Sequence, residues 1–158
     1  MDGEHEETHK ERLDRELIEM LNELRVALPG VQVLFAFLLI VPFSQRFGSA
    51  SDPQRGLYFV ALIAATVASG LLIAPAAQHR ILFRSQEKEA LLERSNRMAV
   101  AGVGALGVSI CAAVLLAVDF LFGSGRSLLT GSAVAVLLLW LWVVQPMVIR
   151  RRSAADRR

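Results

Sequence analysis

Four long stretches of the sequence contain no lysine, arginine or glutamate, and they constrain the fold more than any other feature. Each has at least the roughly 20 residues that a helix needs to cross the hydrocarbon core of a bilayer. Inside lipid, every backbone N–H and C=O group must be hydrogen-bonded within the protein, so the stretches are predicted to be helices. A helix of a soluble bundle would carry a polar stripe, which they lack. The four stretches are residues 26–45, 56–78, 98–125 and 127–149.

The predicted fold class is therefore all-α, an integral membrane four-helix bundle. Residues 1–27 are expected to form an amphipathic cytoplasmic helix, residues 28–149 the four-span domain, and residues 150–158 a basic cytoplasmic tail. A second amphipathic segment is expected between the second and third spans, at residues 79–97. The predicted spans are approximately residues 28–45, 57–78, 98–122 and 128–149.

Positive charge predicts the orientation of the spans. The amino-terminal region, the loop at 79–97 and the tail carry four, five and five of the 17 lysines and arginines. The other two loops carry only Arg46, Arg55 and Arg126. Because loops rich in lysine and arginine stay in the cytoplasm, both termini are expected there.

The basic tail predicts one class of partner and excludes another. Arg150, Arg151 and Arg152 directly follow the fourth span. Such a cluster attracts anionic lipid headgroups, by about 1 kcal/mol for each charge. A nucleic-acid partner is not expected, because the tail is short and has no aromatic side chains on which bases could stack.

The amino-terminal helix carries a narrow seam of leucines, at steps of three or four residues. The seam could pack on the protein's own bundle or at the interface, or it could form a short coiled coil between copies. After it, Arg25 is expected at the inner interface, and Pro29 and Gly30 are predicted to form a hinge at which the helix bends or restarts. The leucines of the seam are Leu13, Leu17, Leu21, Leu24 and Leu28.

Small residues recur every four positions in the third span. Small side chains at that period let helix backbones approach closely, so the stripe predicts helix packing, with a pore lining as the alternative. The stripe comprises Ala101, Ala105, Ser109, Ala113 and Ala117.

Polar residues within the spans are candidates for an ion path or for polar packing. Asp119 is the one acidic residue in a span, near its outer end. Its carboxylate could reach headgroups or Arg126, or it could attract cations or carry protons at an outer vestibule. Gln32 and Gln145 lie near the inner end, where hydrogen bonding between helices is the ordinary interpretation.

Residues His5 to His9 match the HExxH pattern of zinc proteases. The match lies at a polar chain end, without a third ligand or apolar flanks that would exclude water. It is interpreted as a solvated charged segment, and neither enzymatic activity nor a cofactor is predicted.

The stretch Leu21–Phe43, with Ala74-Pro75 and His79-Arg80, resembles a family of small four-span bacterial membrane proteins of unknown function. The resemblance covers roughly residues 10–150. It implies the four-span fold and the inner-membrane location, and it implies no activity.

Taken together, these features predict a non-catalytic multi-pass membrane protein that associates with itself or with a partner. The alternative is a small cation or proton channel or transporter, with Asp119 at its outer mouth and Gln32 and Gln145 at its inner end.

Overall fold

The computed structural model describes residues 9–82 and 88–155 of the 158-residue chain. Within those ranges the secondary structure is helical and contains no strand. A π-helical turn, Trp140–Val144, joins the last two helices. The helices are α1 (His9–Ile40), α2 (Asp52–Leu82), α3 (Lys88–Phe122), α4 (Ser124–Leu139) and α5 (Gln145–Ala155).

Four helical stretches are long and apolar enough to cross a membrane, which confirms the predicted all-α fold class. All four extend beyond the predicted spans at one end or both, because their polar ends continue the same helices. The described parts of the segment expected between the second and third spans are such ends: α2 continues to Leu82 and α3 begins at Lys88. The four stretches are Ile18–Phe43, Asp52–Ile81, Leu92–Phe122 and Ser124–Arg152.

Helix α1 runs without interruption through Pro29, so it does not restart at Pro29-Gly30. The other form of the predicted hinge, a bend at this point, stays a prediction. Proline removes one backbone hydrogen bond and normally kinks or breaks a helix. Here the residues before and after it are held together, because Leu24 and Val31 belong to one buried cluster. Packing on both sides of Pro29 therefore keeps the helix continuous, as neighbouring helices do for many prolines in membranes.

The connection between α1 and α2 is ordered by short local hydrogen bonds. Two 3₁₀ helices occupy it, Val41–Phe43 and Gln45–Ser49. Ser44 donates a hydrogen bond to the carbonyl of Val41. The ring of Phe47 packs edge-on against Tyr58 of α2, with 5.0 Å between centroids. The segment predicted as a plain loop is thus partly helical.

The buried residues of the first three helices recur in a seven-residue pattern. Seven residues fall about 20° short of two full turns, so they form a nearly straight seam along a helix. Such seams are typical of helices packed at a shallow angle. The buried positions are Leu24, Val31 and Leu38 in α1, Ala61, Ala65, Ala68, Leu72 and Pro75 in α2, and Ser95, Gly102, Ser109, Ala112 and Leu116 in α3.

The chain divides into two compact units. The first comprises Ala64–Leu106 and the described part of Met1–Leu39. Its core contains Leu24, Val31, Ala68 and Leu72, with Met20, Leu28, Ala99 and Val103 among the partly buried residues around it.

The second unit comprises Ile40–Ile63 and the described part of Gly107–Arg158. It is held by side-chain hydrogen bonds to helix carbonyls. Ser109 Oγ donates to the Ala61 carbonyl at 2.8 Å. Ser127 Oγ donates to the Leu115 carbonyl at 2.7 Å. A Cβ at Gly131 would come within 2.6 Å of Leu115 Cγ, so only glycine fits there without displacement.

Candidate functional site

The carboxylate of Asp119 is hydrogen-bonded within the second unit. Asp119 lies in the last turn of α3 and Gln54 in the first turn of α2. Gln54 Nε2 donates to Asp119 Oδ2 at 2.7 Å, and Gln54 Oε1 accepts from the backbone N–H of Ser51 at 3.0 Å. Both side chains are half-buried. The amide is thereby fixed by the start of α2, with its N–H group directed at the carboxylate.

Arg126 does not form an ion pair with Asp119, although the sequence made Arg126 one of the groups that the carboxylate could reach. Its guanidinium carbon lies 5.9 Å from the centre of the Phe122 ring, a cation–π distance. Arg126 is exposed beside the turn at Gly123, the one glycine of the described chain with a positive φ, 84°. Gln54 could not be predicted as a site residue, because a single glutamine near a loop forms no recognisable pattern.

The geometry limits the chemistry available around Asp119. One carboxylate and one amide can orient a polar group or bind a water molecule. A metal site requires more ligands, and the described residues contain no group of three or more histidine, cysteine, aspartate or glutamate side chains that could hold an ion. Polar packing is therefore the simplest role for this pair.

The other two polar candidates, Gln32 and Gln145, are exposed. Gln32 lies inside the first spanning stretch, seven residues after Arg25, and Gln145 begins α5. Neither amide makes a side-chain hydrogen bond in the part of the chain that the structure describes. Their exposure gives no support to a role in lining the inner end of a pore.

Gln32 belongs to an exposed face of α1. The residues of this face follow one another at steps of four and three, and therefore share one side of the helix. The buried seam of α1 is offset from it by one position, about 100°. The exposed face comprises Arg25, Pro29, Gln32, Ala36 and Leu39.

The four-residue stripe of α3 is split between the interior and the surface. Ser109 is buried, Ala105 and Ala113 are half-buried, and Ala101 and Ala117 are exposed. Each step of four residues overshoots a full turn by about 40°, so a stripe of five such positions winds around the helix. Ala101 and Ala117 do not pack within the described chain, and helix packing at these two positions stays a prediction. The buried small residues follow the seven-residue pattern instead, and include Gly102 and Ala112.

The fourth span packs closely in its first half and is exposed in its second. Ser127 and Gly131 are buried in α4. From Leu139 to Arg152 every described residue is exposed, including the three arginines at its end. Trp142 nevertheless packs against α3 at Gly107. A Cβ added to this glycine would lie 3.3 Å from the Trp142 ring.

Most of the HExxH match lies outside the described residues. His9 begins α1, and His5, Glu6, Glu7 and Thr8 precede the described chain. Leu13 and Leu17 of the amino-terminal seam have no described side chains. Leu24 and Leu28 of the same seam pack within the first unit, which favours packing on the protein's own bundle for that part.

Comparison with known proteins identifies a family but no characterised relative. A family model described as a family of unknown function, DUF6328, matches residues 6–146. No curated protein and no solved structure matches the chain.

Proposed function

The chain belongs to the family of unknown function DUF6328, and from this premise we propose that it is a non-catalytic membrane protein that works as an oligomer of identical chains. The observation that carries the proposal is the exposure of Gln32 within the first spanning stretch. A primary amide that faces lipid leaves two donors and an acceptor without partners, which is costly in hydrocarbon.

A second copy of the chain is the partner that fits this amide best. The amide of glutamine is self-complementary, because it carries a donor and an acceptor. Two copies related by a two-fold axis can therefore exchange a reciprocal pair of hydrogen bonds. Ala36 lies one turn further along the same face and is small enough to let the two helices approach closely. Pro29, one turn before it, carries no backbone N–H that the contact would need to satisfy.

The proposal places the protein in a bacterial plasma membrane with both termini in the cytoplasm, as the distribution of positive charge favours. The exposed Arg150, Arg151 and Arg152 then lie at the inner surface, against anionic headgroups. The leucine seam contributes less to association between copies than the sequence suggested, since Leu24 and Leu28 already pack within the chain.

The test is the association of labelled copies in liposomes, measured by energy transfer over a range of protein-to-lipid ratios. Gln32→Leu should weaken association by about 5- to 30-fold, the effect of losing about 1–2 kcal/mol of interhelical hydrogen bonding. Val33→Leu, an exposed neighbour on another side of α1, is the matched control and should leave association unchanged. A chain that stays monomeric at every ratio, or that associates equally well with Leu at position 32, would refute the proposal.

The channel or transporter alternative has less support, because Asp119 Oδ2 already accepts a hydrogen bond from Gln54 and Gln32 is directed outward. Flux of protons and potassium into liposomes distinguishes the two functions. We expect no flux above that of empty liposomes. Flux that falls in Asp119→Asn would instead support the alternative.

A further inference from the structure

A basic groove opens between α1 and α2 in the first unit, on the side of the molecule where α1 enters and α2 leaves the apolar region. It has a volume of about 650 Å³, within the range of small-molecule sites. Its rim is cationic and its floor is aliphatic. The lining residues that matter are Arg25, His79 and Arg80 on the rim, Leu28 and Leu72 on the floor, and the exposed Ala76 beside them.

Within the described part of the chain, the two arginines of the groove have no carboxylate as an ion-pair partner. Arg25 and Arg80 are exposed, and neither forms an ion pair with a carboxylate of the described chain. The polar ends of α1 and α3 behave differently. There Arg12, Arg15 and Arg97 each pair with a glutamate four residues away. Positive charge from two helices thus converges at the groove, and no described carboxylate pairs with either arginine.

The order of polar and apolar groups in the groove matches the order of groups in a phospholipid. Arg25 immediately precedes the first apolar stretch and Arg80 closely follows the second, so both lie at headgroup level. Leu28 and Leu72 lie further into the two apolar stretches. A phosphate on the rim would therefore place the lipid's glycerol and acyl chains over leucine side chains.

We propose that this groove binds one anionic phospholipid, with its phosphate between Arg25 and Arg80. Guanidinium groups suit a phosphate because their N–H donors form paired hydrogen bonds to its oxygens. Basic pockets between spanning helices bind lipid headgroups by this chemistry. The aliphatic floor favours a lipid over free phosphate, which would leave Leu28 and Leu72 without contact. The proposal does not depend on oligomerisation.

The experiment counts the lipids that remain bound to the full chain in native mass spectrometry. The protein is released from phosphatidylcholine nanodiscs that contain a minor fraction of phosphatidylglycerol. Wild-type protein should retain one phosphatidylglycerol, and inorganic phosphate in excess should not displace it. Arg25→Gln and Arg80→Gln should each weaken retention by about fivefold, the effect of one charge at a membrane surface.

Two matched controls separate the groove from general surface charge. Arg151→Gln with Arg152→Gln removes the same charge from the exposed tail and should leave the retained lipid in place. Ala76→Phe fills the groove without changing charge and should expel the lipid, whereas Ala77→Phe, at an exposed neighbour outside the lining, should not. Equal losses from the tail and groove variants, retention in Ala76→Phe, or displacement by inorganic phosphate would each overturn the proposal.

Discussion

Gly102 of α3 lies directly against Leu72 of α2, so closely that a Cβ on the glycine would come within 2.8 Å of the leucine Cγ. Both residues are buried, and Leu72 belongs to the core of the first unit. The two helices can make this contact because one of them has no side chain at the crossing. This contact identifies Gly102 as a small residue of α3 that is needed for packing inside the chain.

Gly102→Ala should destabilise the first unit. The added methyl group must displace Leu72, and overpacking of this kind typically costs about 1–3 kcal/mol. Unfolding by a denaturing detergent in mixed micelles, followed by circular dichroism, measures the change in the free energy of unfolding. Gly104→Ala is the control, since a Cβ there meets nothing within 4 Å. If both variants unfold alike, the contact is not as tight as the structure describes.

Gln54→Leu should destabilise the second unit by removing the donor that serves Asp119. The expected loss in the free energy of unfolding is about 1.5 kcal/mol. This is the low end for a hydrogen bond to a charged group, because both side chains are only half-buried. A double-mutant cycle with Asp119→Leu isolates the pair. The two substitutions should be non-additive by a similar amount. Strict additivity would show that the bond contributes nothing to stability.

Pro29→Ala should stabilise α1 without reorienting it, because the helix is already continuous through this position. The gain should be no more than about 3 kcal/mol, the cost of a proline inside a helix relative to alanine. Single cysteines at Ile18, which is 59% exposed, and at Leu24, which is 7% exposed, should keep their different labelling rates in the variant.

Pro53→Ala provides the comparison for that substitution. Pro53 is the second residue of α2, where a missing N–H group has no partner to lose, so the variant should be nearly neutral. A reversal of the labelling pattern in Pro29→Ala would support the predicted hinge.

The sequence predicted the spans well because a bilayer imposes a minimum length of uncharged helix. It predicted less well which side chains contact one another within the bundle. Gln54 and Asp119 are 65 positions apart, and only the antiparallel return of the chain brings them together. The stripe of α3 is only partly buried within the chain because a four-residue period drifts around a helix, whereas the buried series through Gly102 and Ser109 follows seven. At Pro29 a local rule for breaking helices was overridden by the packing of Leu24 and Val31.

The π-helical turn at Trp140–Val144 affects everything that follows it in the fourth span. Each of its backbone hydrogen bonds closes over one more residue than in an α-helix, so the turn acts as a one-residue insertion. Side chains of α5 are thereby rotated by about 100° from the direction that an uninterrupted helix would give them. The π-helical turn thus sets the direction in which the side chains of Arg150, Arg151 and Arg152 leave the helix. It does so from six or more residues earlier, in a segment that carries no charge.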